Sequence, residues 1–134
     1  MNRRRNSESG SNSVEFALAI PVLALMILGS VDFCRAIWTN NTIAQAALDG
    51  ARYASVRSVD SDEPSSTATV KSAVVDSAVG LDAGKVGVTT TWPAGNNQGA
   101  IVRVRVTYDF EPITPLLPIG SIALDSEAQL PIVN

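Results

Sequence analysis

Histidine is absent from this chain, and cysteine occurs once, at position 34. The first absence removes Ser-His-Asp and Cys-His nucleophilic arrangements and every histidine-ligated metal centre. The second removes any internal disulfide. Aromatic residues make up only 5% of the 134 residues, so a core has to be assembled from Val, Ile, Leu and Ala. That favours a thin structure, a small sheet packed on a helix, whose stability is marginal or shared with neighbouring copies. Grouped basic residues are missing beyond position 58, where Asp60, Asp62, Glu63, Asp76, Asp82, Asp109, Glu111, Asp125 and Glu127 dominate. Phosphate binding needs clustered Lys and Arg, and Arg103 with Arg105 are too few, so nucleic acid is not an expected partner.

What the chain does have is a carboxylate at the mouth of a long apolar run. Gly10-Ser11-Asn12-Ser13-Val14-Glu15-Phe16 leads into sixteen uncharged residues from Phe16 to Val31. As a helix these cover about 24 Å, against a hydrocarbon core of about 30 Å. Val14, and Asp32 and Arg35 placed among the headgroups, make up most of the difference. Pro21 inside the run removes one backbone bond and is expected to bend the helix. Arg3, Arg4 and Arg5 precede the run, which places the amino terminus in the cytoplasm and the remainder outside. The pattern imitates a secretory signal, but Glu15 interrupts its entrance and the apolar stretch is long for one. Gly29-Ser30 and Ala36 make imperfect cleavage sites, and Val31-Asp32-Phe33 before Cys34 lacks the small residues of a lipoprotein site.

Glu15 admits two readings. A carboxylate in the first helical turn is favourable with the helix dipole and can rest at headgroup level. Alternatively, cleavage after Gly10 frees an amine at Ser11, and Glu15 of one subunit pairs with that amine on a neighbour. In a low-dielectric bundle such a pair relieves two costly charges and sets axial register.

Helical character is expected to continue past the bilayer to about Val56, with Ile37, Ala44, Leu48, Ala51 and Val56 near one face. Ala46, Ala47, Gly50, Ala51 and Ala54 offer a surface another element can approach closely. The polar stretch Val59–Ser66 reads as a loop, and Thr67–Val79 as a second helix with Val70, Ala73 and Val74 inward. The period then changes to two. Val86, Val88, Thr90 and Trp92 alternate with smaller residues, and Pro93 to Gly99 is a dense turn signal. Val102, Val104, Val106, Tyr108 and Phe110 alternate with polar residues, and Ile122 to Leu130 repeats the pattern more weakly. The expected fold is α+β: a long amino-terminal transmembrane helix, a short second helix and a small antiparallel three-stranded sheet. The corresponding divisions are a basic leader (1–10), a transmembrane helix (11–34), its extracytoplasmic continuation (35–58) and a small α+β domain (59–134).

No catalytic constellation emerges, and no cofactor or metal is implied. Asp60-Ser61-Asp62-Glu63 lacks the spacing of a calcium loop and reads as solvated. Gly95 to Gly99 is a hairpin turn, since no lysine-bearing strand–loop–helix surrounds it. Trp38 suits an aromatic belt at the outer interface, and Trp92 a place in the core. Cys34 reads as a small buried or lipid-facing residue, with an intermolecular disulfide as the other option.

Two stretches together carry a resemblance. Gly10, followed at the fifth position by Glu15-Phe16 and then by Ala17-Leu18-Ala19-Ile20-Pro21, is similar to the opening of the TadE-like pseudopilins of the tight-adherence (Flp pilus) machinery. Gln45-Ala46-Ala47-Leu48-Asp49-Gly50-Ala51-Arg52-Tyr53-Ala54 resembles that family's second signature. The likeness covers residues 10–58 well and extends loosely through Tyr108, Phe110 and the Pro112–Pro118 segment. It implies a pilin-like arrangement of these elements and a non-enzymatic minor pilin of the cytoplasmic (inner) membrane, with its carboxy-terminal part outside. It also implies processing by a prepilin peptidase between Gly10 and Ser11, with Glu15 and Phe16 taking part in assembly. Other pilins or pseudopilins, the assembly platform and the lipid bilayer are the implied partners. The alternative from the residues is a single-pass anchored binding module that does not polymerise.

Overall fold

The computed structural model describes residues 6–114 and 120–133, and for residues 6–11 the backbone alone. Arg3, Arg4 and Arg5 of the leader, and Pro115 and Pro118 of the proline-rich segment, lie outside the described residues. One helix, α1 (Asn6–Ser55), runs unbroken through Pro21 for 50 residues, about 75 Å at the standard rise. A second helix, α2 (Thr67–Ser77), follows. Three strands complete the chain: β1 (Val86–Thr91), β2 (Ile101–Phe110) and β3 (Ile122–Pro131). They pair in sequence order as an antiparallel meander, with Val104 opposite Thr90 on one side and Ala128 on the other. The architecture is the α+β arrangement that the alternation of periods implies.

The sheet turns one face to the helices and the other to solvent. Val102, Val104, Val106 and Phe110 are buried on β2, while Arg103, Arg105, Thr107 and Asp109 between them are exposed. Against the inward face lie Ile43, Ala46, Ala47, Ala51 and Ala54 of α1 and Val70 and Val74 of α2, all fully buried. The helical stripe that meets the sheet is therefore the small-residue one. Ile37 and Val56, expected on that face, are each 46% exposed, and Ala44 and Leu48 are half-buried. The reason is position around and along the helix. At Gly50 the backbone comes so near α2 and β2 that an added Cβ would strike a methyl of Val74 and come within 3.3 Å of one on Val104. At that point the seam has no room for a large side chain, whereas Ile43, two turns nearer the amino end, is fully buried where it is wider.

Local chemistry sets the boundaries. Ser66 caps α2 reciprocally: its hydroxyl accepts from the Thr69 N–H, and the Thr69 hydroxyl accepts from the Ser66 N–H. The end of α1 is closed by Arg57, whose guanidinium donates to the Tyr53 carbonyl at 3.2 Å and stacks 3.9 Å from the Tyr53 ring centroid. A cation suits the negative end of a helix. The Arg57 carbonyl in turn accepts from the N–H and hydroxyl of Ser65 and from the Asn96 amide. The Val133 N–H donates to the Ser55 carbonyl. The carboxy-terminal end of α1, the loop after it, the β1–β2 turn and the end of the chain are thus laced together.

Candidate functional site

From Val14 to Val31 every large apolar side chain of α1 is exposed, all round the helix. None of the most apolar stretch is buried within the chain, so this is not the core helix of a soluble domain. A helix apolar on all sides with nothing of its own to pack on is one whose solvent is lipid or other helices. Among the described residues α1 alone is long and apolar enough to cross a membrane, which fits membrane anchoring.

The residues singled out in the sequence fall at the start of this stretch. Gly10 and Ser11 lie within the helical backbone of α1, so the bond between them is part of a regular turn. Glu15 and Phe16 are exposed, Phe16 by 69%, and share a shallow concavity with Asn12 and Ala19. The structure brings none of these residues against the sheet or α2. Ser11 and Glu15 stand four residues apart and therefore on one strip of the helix.

The other end of the apolar run holds a cluster that sequence reasoning missed. Asp32 does not simply rest among headgroups. Its carboxylate accepts from the backbone N–H groups of Ile113 and Thr114, at 2.9 and 2.8 Å, and from the Thr114 hydroxyl. Arg35, one turn on, donates to the same carboxylate at 3.0 Å and lies 5.2 Å from the Phe110 ring centroid. The segment after β2 is thereby clamped to α1 at the point where its apolar stretch ends. An Asp–Arg pair at i,i+3 was visible in the sequence, but nothing there pointed to donors some eighty residues away.

Above the clamp, Trp38 lies against the turn that follows α2. Gly80 has φ of 81°, a left-handed conformation, and a Cβ there would come within 2.8 Å of the indole ring. Cys34 is exposed rather than buried. Trp92 is half-buried against the core. Lys85 meets Glu111 at 2.9 Å, and the carboxylate raises the ammonium's pKa above its ordinary value. Asp60, Asp62 and Glu63 are solvated, and among the described residues no group of three or more potential metal ligands gathers.

Comparison with known proteins bears on α1. A family model described as TadE-like protein matches residues 10–52. Over that stretch, about a third of the chain, it is similar to TadE-like proteins. No curated protein and no solved structure matches. The TadE-like match opens on Gly10 and closes inside Gly50-Ala51-Arg52, so it takes in the exposed apolar helix, the Asp32–Arg35 pair and the small-residue seam. The sheet, and the Tyr108-to-Pro118 stretch more loosely attached to the resemblance, lie beyond the TadE-like residues.

Proposed function

We propose that the protein is a non-enzymatic minor pilin of a tight-adherence (Flp) pilus, inserted in the cytoplasmic membrane with its sheet outside. The TadE-like match, falling on a helix whose apolar surface has no partner within the chain, carries this reading. Such a surface is stable first in lipid and then, on assembly, among equivalent helices, with other pilins and the assembly platform as partners. A prepilin peptidase cuts between Gly10 and Ser11. Because that bond is helical in the uncut chain, cutting requires the first turns of α1 to open, and Gly10 lowers the cost of opening by up to about 1 kcal/mol relative to alanine.

The new Ser11 ammonium then pairs with Glu15 of a neighbouring copy. Bringing one subunit's Ser11 level with another's Glu15 displaces the two by four residues, about 6 Å along the helix. The pairing thus sets a stagger as well as neutralising two charges in a dry environment.

Mass measurement of native membrane material tests the processing step: a chain beginning at Ser11 is expected, and an intact leader in cells that possess the peptidase overturns it. For the pairing, Glu15→Ala is expected to insert normally and to reduce assembly at least tenfold, measured as pilus yield. Unchanged yield refutes the role of Glu15. Exchanging residues 14–31 for an unrelated span of equal length separates this reading from a non-polymerising anchored module, in which function would survive.

A further inference from the structure

Two hollows meet at Arg35 and Trp38. One is a shallow apolar groove along the exposed face of α1, lined by Ile27, Val31 and Cys34 below those two residues. The other is a cleft of about 440 Å³ between α1, the turn after α2 and the end of β2, bounded by Lys85, Tyr108, Phe110 and Glu111 above the same two residues. Their levels follow from the helical rise. Counted about 30 Å from Val14, the outer edge of the hydrocarbon falls near Cys34, so Arg35 stands about 1.5 Å beyond it and Trp38 about 6 Å. The headgroup layer is roughly 5–7 Å deep on each side of the hydrocarbon. The groove therefore lies at acyl-chain depth and the cleft opens among the headgroups, with Trp38, 52% exposed, at the depth where indole rings settle.

We infer that this continuous surface seats one phospholipid of the outer leaflet, with an acyl chain along the groove and a zwitterionic, ammonium-bearing headgroup in the cleft. Charge selects the headgroup. Lys85 and Glu111 stand side by side at 2.9 Å with side chains 36% and 65% exposed, and one contact leaves each with unused donors or acceptors. A phosphate fits beside the ammonium of Lys85 and the free donors of Arg35. The ammonium of the same headgroup then faces the Glu111 carboxylate and the rings of Trp38 and Tyr108, which favour a cation over their faces. An anionic headgroup lacking an ammonium would find Lys85 and Arg35 for its phosphate but would leave the Glu111 carboxylate and the two rings without a cation. The Asp32 clamp holds the cleft at this height by fixing Ile113 and Thr114 to α1. The inference rests on α1 spanning a bilayer and is independent of processing and polymerisation.

Tryptophan quenching tests it on the full chain. In a Trp92→Phe background Trp38 is the sole indole, since the chain has two tryptophans. The protein is reconstituted in vesicles of equal parts phosphatidylethanolamine, phosphatidylcholine and phosphatidylglycerol, with one of the three brominated on its acyl chains at a time. Quenching by at least one ammonium-bearing lipid is expected to exceed that by brominated phosphatidylglycerol about twofold or more. The preference is expected to vanish in Lys85→Gln/Glu111→Gln. Equal quenching by all three, as when a neighbouring helix fills the groove, overturns the inference. So does strongest quenching by phosphatidylglycerol, or a preference that survives the double substitution. Absence of quenching by any of them overturns the membrane-spanning reading itself.

Discussion

A carboxylate at the end of an apolar helix can stay in interfacial water or find donors in its own chain, and Asp32 does the second. It binds two consecutive backbone N–H groups and a hydroxyl from one short segment, while Arg35 supplies the opposing charge. Hydrogen bonds to an ionised group are shorter and stronger than those between neutral partners. Asp32→Ala is therefore expected to release the segment without unfolding the sheet. Amide exchange at Ile113 and Thr114 should quicken at least tenfold, which corresponds to about 1.4 kcal/mol of local protection, while the amides of β2 up to Val106 keep their rates. Unchanged exchange at Thr114 would mean that the segment is held by something other than this carboxylate. The role of Asp32 was not legible beforehand because its partners are backbone groups in a loop, and backbone donors leave no mark on residue identity. The same holds for Gly80, whose positive φ and contact with Trp38 depend on a turn that no periodicity foretells.

At the scale of elements the strands were readable and the packing face of α1 was readable in part: the small-residue surface of Ala46, Ala47, Gly50, Ala51 and Ala54 is the one that packs, whereas Ile37 and Val56 do not join it. The alternation Val102, Val104, Val106 against Arg103, Arg105, Thr107 reports burial directly, since a sheet with one wet face has only one way to satisfy it. A helix offers more choices. Ile37 and Val56 looked like core residues by size, yet position keeps them out: Ile37 stands about 100° round the helix from Ala54, and Val56 lies past the end of α1, while Ile43 on the packing face is fully buried. Substituting Gly50 by Ala weighs two opposite effects. Helix propensity gains about 1 kcal/mol, whereas the new methyl collides with Val74 and crowds Val104, and overpacking costs about 1–3 kcal/mol. The collision is expected to prevail, since Val74 is fully buried and has no room to turn. Gly50→Ala should lower the urea midpoint at an unchanged slope, by a stability loss on the order of 1 kcal/mol. A raised midpoint would show that α2 can back away from α1.

The molecule as a whole divides differently in packing than in solvent. Its apolar amino-terminal stretch ends at Val31, but α1 continues and supplies one side of the core of the part that lies beyond it: Ile43, Ala46, Ala47, Ala51 and Ala54 cover Val102, Val104 and Val106. A fragment of residues 59–134 keeps the whole sheet and α2 yet loses that cover, leaving the three valines of β2 largely open to water. Fully burying such a side chain is worth about 1.5–3 kcal/mol, comparable in sum with the whole stability of a small domain. The fragment is therefore expected to be unfolded or aggregated. Residues 36–134 retain the covering helix, the closure by Arg57 on Tyr53 and the lacing of Val133 to Ser55. They lack the apolar stretch and Asp32, and are expected to fold as a soluble unit whose segment 111–114 alone is loosened. Circular dichroism and a cooperative urea transition for the longer fragment, beside neither for the shorter, would confirm that the membrane helix and the core helix are one element doing two jobs. A cooperative transition in residues 59–134 would show instead that the sheet and α2 close a core of their own, leaving α1 as a dispensable stalk.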